Sequence, residues 1–483
     1  MGFATVFGGR RVACGSFGDE VPKIVASAGP LFSVIIPSYN GAALLERCLH
    51  SLEKVRFPSH RREWIVVDNG SGDGTVSMVQ RRFPKTKIVS LSRNLGFTGG
   101  IAAGVAAAEG RYVVFLNNDM RVAPQWLEAM EEALRGRGAV CAAGKILDKK
   151  GEHIDFIEGI LLFDGHALQR FQGARAEHFS GLSTCPAFIA CGGNMAVRKD
   201  VYESLGGFDG DFFAYTEDVD FSWRLHAAGF ETVFVPEAVT LHDHQATSSR
   251  FGPYRRGFLY ERNAFACLYK NIDEPFFHPL VHLAWLTLMH RTRWIIALHE
   301  PQSLGALESP FPPWSGLPDG SSESALEATF LRSPQRSWRK TLRRGVDLLR
   351  QGELQTLWYR LAEILRDRLR RGKGKGLSSL HPEEILWRHP YVRSQLQALW
   401  DLSRSMARLN AKRRSVQRRR RVPDRDIFRR FPPWVVTTYP GDEELFAASW
   451  FRDLLPKEIP FRFASLEEVH GDPPPAQRHH TDL

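Results

Sequence analysis

Four short apolar runs, each closing on a polar cluster and parted from the next by a helical stretch, constrain this chain more than any other feature. Leu31-Phe-Ser-Val-Ile-Ile-Pro37 and Glu63-Trp-Ile-Val-Val67 read as buried strands, as do Lys87-Ile-Val-Ser-Leu91 and Arg111-Tyr-Val-Val-Phe-Leu116. Between them, Leu44, Leu45, Cys48, Leu49 and Leu52 recur at helical spacing within Ala42–Leu52, a second helix is expected from about Thr75 to Phe83, and small residues from Gly99 to Ala108 suit a helix packed closely on a sheet. Strands alternating with helices imply a parallel, doubly wound α/β sheet. Such sheets bind ligands at the carboxyl ends of their strands, where Asp68-Asn-Gly-Ser-Gly and Asn117-Asn-Asp119 fall.

The 483 residues allow two or three domains at roughly 150 residues each. Residues 1–30 read as a Gly-rich leader, and 31–272 as the catalytic unit, divided into a nucleotide-binding half (31–120) and an acceptor half (121–272). An apolar helix follows over 273–300, a Pro/Gly/Ser-rich linker over 301–330, and a basic, mainly helical region over 331–483. The net charge of +10 is uneven, with Arg-rich runs concentrated after about residue 330. That asymmetry suits phosphates, anionic lipid headgroups or nucleic acid, although a solvated surface explains any single run. Six scattered cysteines without a C-x-x-C spacing point to a reducing compartment, by default the cytoplasm. Neither a signal peptide nor a stretch of the ~20 apolar residues that span a bilayer is expected.

Four clusters carry candidate chemistry, and each has a plain structural alternative. Asp68 at a strand end can accept from a pyrimidine edge, with Asn69 and Ser71 beside it; the same residues also make an Asx-turn. Asn117-Asn118-Asp119 places one carboxylate where a hard cation bridging phosphates could take it; Asp119 could equally cap a helix. Tyr215-Thr-Glu-Asp-Val-Asp220 sets three carboxylates within four residues, and their repulsion would raise a pKa toward that of a general base. Phe221 and Trp223 nearby could pack on a sugar face, while ordinary helix capping also explains the acids. In Leu241-His-Asp-His-Gln245, His242 or His244 could add a metal nitrogen.

The order of these clusters on a β/α pattern resembles family 2 glycosyltransferases with the GT-A fold, most closely the rhamnosyltransferase-like branch that builds bacterial surface polysaccharides. The residues that carry the resemblance are Val34-Ile-Ile-Pro-Ser-Tyr-Asn40, Asp68-Asn-Gly-Ser71, Asn94-Leu-Gly-Phe97 and Phe115-Leu-Asn-Asn-Asp119, then Gly206-Gly-Phe-Asp209, Thr216-Glu-Asp218 and Glu261-Arg-Asn263. It spans about Ser33 to Asn271. It implies a Rossmann-like, mostly parallel central sheet, to which the pattern beyond it adds a helical, basic C-terminal extension, and it implies an inverting transfer from a nucleotide-sugar donor to a glycan or lipid-linked glycan. Pro37, Tyr39, Asn40, Asp68 and Asn69 would bind base and ribose, and Arg93, Asn94 and Gly96 would shape that pocket. Asn117 and Asn118 would lie near the ribose or metal. Asp119 and His242 would hold a divalent cation, Mg²⁺ or Mn²⁺, Asp218 would be the base, and Glu217 would orient the acceptor.

Two departures qualify that pattern. The usual Asp-x-Asp is Asn117-x-Asp119 here, which implies a weaker metal affinity or one that depends more on His242. His290-Arg-Thr-Arg-Trp294 echoes the Gln-x-x-Arg-Trp of processive synthases, but imperfectly and without membrane spans, so a distributive enzyme is the better expectation. A sugar-nucleotide nucleotidyltransferase would need a Gly-rich, cationic loop after the first strand, and Pro37-Ser-Tyr-Asn40 is not one. A non-catalytic basic scaffold is the remaining alternative. Leu354, Leu357, Trp358, Leu361 and Leu365 with the arginines around them form an amphipathic stripe suited to an anionic membrane surface or to packing on the catalytic unit. No reader motif supports nucleic acid as a partner.

Overall fold

The computed structural model describes residues 29–136, 138–243, 252–298, 390–439 and 441–471. The expected leader, the linker, the 354–371 stripe and His244 lie outside those residues.

The alternating half forms as anticipated. The strands β1 (Phe32–Ser38), β2 (Arg62–Asp68), β3 (Lys87–Ser90) and β4 (Tyr112–Leu116) interleave with α1 (Ala42–Glu53), α2 (Thr75–Arg82) and α3 (Gly96–Ala107). All seven β1 residues and all five of β4 are buried, as strands covered on both faces must be. β2 pairs in parallel with β1 and β3, and β1 in parallel with β4. α3 lies so close to β1 that a Cβ on Gly104 would stand 2.3 Å from the Ile35 side chain. Small residues on this helix are therefore a packing requirement.

Beyond Leu116 the simple alternation ends. β5 (Met120–Val122), α4 (Trp126–Gly136) and β6 (Cys141–Asp148) lead to the short strands β7 (Ile154–Phe156), β8 (Glu158–Leu161), β9 (Ala167–Arg170) and β10 (Cys185–Pro186). Then come β11 (Asn194–Arg198), α5 (Lys199–Ser204), α6 (Glu217–Ala227) and β12 (Thr232–His242). The main sheet runs β10-β12-β6-β11-β4-β1-β2-β3, with β5 on β12 and β7 on β6. β11 is antiparallel to both β4 and β6, so the sheet is mixed and not wholly parallel. The reason is local. Between β6 and β11 the chain makes short strands and turns without an α-helix, so it lacks the crossover that a parallel return requires.

α7 (Gly252–Asn271) and α8 (Glu274–Leu298) follow, then α9 (Pro390–Arg419), α10 (Asp424–Arg430), β13 (Trp434–Thr437), α11 (Asp442–Ala447), α12 (Ser449–Leu454), β14 (Arg462–Ser465) and α13 (Leu466–His470). The C-terminal region is thus mainly helical but adds a parallel β13–β14 pair. Its apolar residues share one core with the acceptor half: Leu402, Phe428, Phe446 and Phe451 belong to the same buried cluster as Trp223, Phe265, Leu280 and Trp285. No helix among the described residues is long and apolar enough to cross a membrane.

Candidate active site

At the carboxyl ends of β1 and β2, polar side chains knit three loops together. Asp68 is buried, and both its oxygens face the Ser71 amide at 3.2 and 3.3 Å, so the Asx-turn forms here. A carboxylate accepting one N–H keeps lone pairs for a ligand, so turn and binding readings coexist. Asn69 donates to the Gly96 carbonyl and accepts from the Leu95 amide, tying this loop to the start of α3. Asn94 accepts from the Gly96 amide in the same turn. Asn40, in the left-handed region at φ 49°, accepts from the Gly72 amide. Asn118 is buried and donates to the Ser38 hydroxyl. Asn40, Asn69, Asn94 and Asn118 therefore brace the loops that wall the expected nucleotide pocket. Tyr39, 37% exposed, and the exposed Arg93 are the members of the expected set that face solvent. Pro37 and Gly96 are structural as well: a Cβ on Gly96 (φ 76°) would stand 2.4 Å from the Phe213 carbonyl, and one on Gly100 would touch Pro37.

The next cluster is assembled by a strand pairing. β5 runs antiparallel to the end of β12, with Met120 opposite His242 and the Asp243 amide donating to the Asp119 carbonyl. This ladder brings Asp119 Oδ2 to 3.3 Å from His242 Nε2. The other ring nitrogen, Nδ1, lies 2.7 Å from Asp155 Oδ2. Burial pushes the imidazole pKa down, but the two flanking carboxylates prevail and raise it to about 10. A carboxylate oxygen and an imidazole nitrogen converging at the end of β4, with a carboxylate behind the imidazole, form a donor set that fits a divalent cation. Among the described residues no group of three or more His, Cys, Asp or Glu side chains could hold a metal by itself. A cation here would need oxygens from its ligand. The other acid of the motif, Asp243, pairs with Arg47 at 3.0 Å and Arg121 at 3.2 Å.

Asp155 escaped sequence reading because nothing marks a lone Asp in Ile154-Asp-Phe156; only the pairing of β7 with β6 delivers it. Gly192 and Gly193 were missed for a similar reason. Antiparallel β11 sets them beside the end of β4, so a Cβ on Gly193 would lie 3.0 Å from the Asn117 amide nitrogen. The Gly192 amide donates to Asp218 Oδ2 at 3.0 Å. This pair of glycines is where the Asn117–Asp119 end meets the acidic loop.

That loop is strained. Phe213, Tyr215 and Thr216 all have φ between 66° and 70°, a region costly for residues with a Cβ. Asn263 on α7 holds it, its Nδ2 lying within 3.1 Å of the carbonyls of Phe212, Ala214 and Tyr215. On the other side the Phe213 carbonyl accepts from Thr98 of α3. The three acids then part company. Asp220 is buried against Arg224 and Lys270, at 2.8 and 2.9 Å, and its pKa stays low because those cations outweigh burial. Asp220 is a structural anchor, and its charge still adds a smaller push to that of Asp218 in raising Glu217. Asp218 accepts from the Gly192 and Val219 amides, yet burial raises its pKa. Glu217 is raised well above the ordinary value by burial and by the charge of Asp218, and its Oε2 is buried without a hydrogen-bond partner.

Phe221 and Trp223 do not face a sugar. They are 0% and 1% exposed, Phe221 packing on Tyr202 and Trp223 donating to Asp424 at 2.8 Å. α6 turns its aromatic side into the core, and helical spacing alone could not say which way it faced. The aromatic pair beside the acids is instead Tyr215 stacked on Tyr260, with centroids 4.6 Å apart. The expected echo at His290–Trp294 also resolves structurally: His290 contacts the Gly441 carbonyl at 2.9 Å, and Trp294 packs on the same glycine.

Residues 33–206 match the family described as Glycosyl transferase family 2. This chain carries a family 2 glycosyltransferase domain. Its architecture is the GT-A fold. Asp68, Asn117–Asp119, Asp155 and Gly192 fall inside the matched residues; Glu217, Asp218, His242 and Asn263 lie past their end. Glycosyltransferase AglE of Haloferax volcanii is 27% identical over 221 residues, covering 45% of this chain and 68% of the relative. The N-acetylglucosaminyl-diphospho-decaprenol L-rhamnosyltransferase of Mycobacterium tuberculosis is 28% identical over 46% of this chain and 78% of its own length. The O-antigen biosynthesis protein RfbC of Myxococcus xanthus is 30% identical over 46% of this chain, which spans only 18% of that protein. Among solved structures, GalNAc-T7 with UDP, GalNAc and Mn²⁺ aligns at a TM-score of 0.42 and 16% identity, over 55% of this chain and 50% of that one.

Proposed function

We propose that the protein is an inverting, metal-dependent glycosyltransferase that moves a sugar from a nucleoside-diphosphate donor to a glycan or lipid-linked glycan in cell-surface polysaccharide synthesis. The observation that carries this reading is the meeting, across Gly192 and Gly193, of the strand end that bears Asn117 and Asp119 with the raised Asp218 carboxylate. The names of the relatives from Mycobacterium and Myxococcus support the acceptor class. dTDP-rhamnose and UDP-sugars are the first donors to test. The inner face of the plasma membrane is where such an acceptor and a nucleotide sugar would meet.

In this reading Tyr39 and Arg93 flank the base and ribose, on walls built by Asp68, Asn69 and Asn94. Asp119 and His242 Nε2 would hold a divalent cation, and Asp155 fixes the ring through Nδ1. When bound, that ion neutralises charge on the departing diphosphate. Asp218 takes the proton of the acceptor hydroxyl while the oxygen attacks the anomeric carbon. The bond from that carbon to the diphosphate oxygen breaks on the opposite face, and the nucleoside diphosphate leaves. Of the two adjacent acids, Asp218 keeps the negative charge because two backbone amides point at it. Glu217, buried and with the neighbouring charge against it, keeps its proton and can donate to the acceptor.

Thermal unfolding with UDP, dTDP and GDP, with and without Mn²⁺, tests the donor site. A metal-dependent stabilisation by at least one nucleotide is expected, and its absence with all three would sink the proposal. Asp155→Asn should weaken Mn²⁺ affinity by about 10–100-fold while leaving metal-free unfolding near that of the parent; unchanged affinity would remove His242 from the metal site.

A further inference from the structure

One face of α9 has a composition the transfer reaction does not explain. The helix carries eight Lys and Arg against a single acid, Asp401, and Asp401 sits 3.5 Å from Arg262. Its buried side is ordinary, with Leu399, Leu402 and Leu409 in the shared core. On the other side Trp400, Arg404, Arg408, Arg414 and Arg418 are all exposed. At 100° per residue these positions, with the exposed Ser403, Ala407 and Ala411 between them, fall on one stripe. The stripe runs for about 27 Å at 1.5 Å per residue and contains no carboxylate. A solvated surface helix ordinarily mixes both signs of charge.

Trp400 is 57% exposed, and the Arg404 guanidinium lies 6.0 Å from its ring centroid. A tryptophan beside arginines suits the headgroup layer of a bilayer, where the indole meets the acyl boundary and the cations meet phosphates. The stripe is also placed to matter. Arg408 bonds Asp211 at 2.9 Å, and Lys412 bonds Asp209 and Asp211. Those acids bracket the turn that leads directly into the strained loop before Glu217 and Asp218.

We infer that the Trp400–Arg418 face of α9 docks the protein on an anionic lipid bilayer, with the acidic loop turned toward that surface. Charge complementarity selects the partner: Arg404, Arg414 and Arg418, with no acid on the stripe between them and an interfacial aromatic beside them, match anionic headgroups. Docking would bring a lipid-borne acceptor to Asp218, and in that respect the inference rests on the proposed transferase reading. The binding itself is measurable without any transfer.

The test uses the full chain and co-sedimentation with phosphatidylcholine vesicles with and without phosphatidylglycerol. Binding is expected only to the anionic vesicles and should weaken as salt rises. Reversing Arg404, Arg414 and Arg418 together to Glu should lower vesicle affinity at least about 100-fold, at ~1 kcal/mol per charge near an anionic surface. Neutral Gln at the same three positions should give a smaller loss in the same direction, and Trp400→Ser a few-fold loss. Thermal unfolding and nucleotide stabilisation like those of the parent establish that each variant is folded. No binding to anionic vesicles, or full binding by the folded triple variant, overturns the inference. So does equally tight binding to duplex DNA that the same variant loses, because the stripe would then be a general polyanion surface. None of these outcomes touches the metal-dependent nucleotide test, so the two readings fail separately.

Discussion

Neighbours on one turn of helix, Glu217 and Asp218 meet different surroundings, and that difference assigns their roles. Asp218 has the Gly192 and Val219 amides; Glu217 has burial and its neighbour's charge. Asp218→Asn should lower kcat about 10³-fold, within the usual range for losing a general base, and leave metal-dependent nucleotide stabilisation intact. Loss of both together would mean that Asp218 is not the base. The pH dependence follows from the raised pKa values. Transfer requires ionised Asp218, so the acidic limb of kcat/KM should lie above the ordinary carboxylate range and belong to the coupled pair. Glu217→Gln exchanges one neutral group for another and should leave that limb in place, whereas a move to lower pH would show that Glu217 is charged while Asp218 titrates. Stability has its own sign. A carboxyl whose folded pKa is raised favours the fold below its unfolded pKa and loses that contribution as pH rises through the folded value. Glu217→Gln should therefore raise Tm at neutral pH more than below about pH 4. An equal change at both would show that Glu217 is not held protonated.

At the scale of elements, the site depends on contacts between segments far apart in sequence. The β5–β12 ladder aims His242 at Asp119, antiparallel β11 delivers Gly192, and α7 supplies Asn263. Asn263 acts through the backbone it holds, so it is a positioning residue. Asn263→Ala takes this donor from the Ala214 and Tyr215 carbonyls, each a cost of about 1–3 kcal/mol where buried, while the Phe212 carbonyl keeps the Ala214 amide. We expect kcat to fall more than about tenfold as the strained loop relaxes, in keeping with the rate cost of small misplacements. Donor KM should change less, because the Asp119–His242 pair does not touch Asn263. A parallel rise in donor KM with unchanged kcat would contradict a role in placing the acids.

Across the whole molecule, the C-terminal region is joined to the catalytic unit by charge as well as by the apolar core. Arg291 of α8 is buried and reaches Asp442 at 3.0 Å through two nitrogens and Asp164 at 2.9 Å. Asp442 begins α11, while Asp164 sits in the turn between β8 and β9. Beside them Tyr439 donates to Glu261 at 2.7 Å, two residues from Asn263. Arg291→Leu would leave buried Asp442 without its cation and Asp164 with His166 alone, a loss of about 3–5 kcal/mol. One cooperative transition at lower Tm is expected, reported alike by nucleotide-site and C-terminal probes. A separate early transition of the C-terminal region would contradict a shared core.

Local sequence determined the alternating half of the fold and the candidate acids within it. Buried parallel strands must be continuous apolar runs, helices must repeat every 3.6 residues, and strand ends must leave polar groups exposed. For that reason β1 to β4, the close α3 helix and Asp119 at a strand end were legible along the chain, while Asp218 and His242 became candidates through the order of their motifs. What each side chain faces was not. Whether Asp220 repels its neighbours or anchors Lys270, whether Trp223 meets a sugar or the core, and whether Asn69 binds a base or braces Gly96 depend on residues tens to hundreds of positions away. The same holds for the two acidic clusters. Sequence supplied each one, but only the antiparallel return of β11, a choice made by tertiary pairing and invisible to local periodicity, brings them to either side of Gly192 and Gly193.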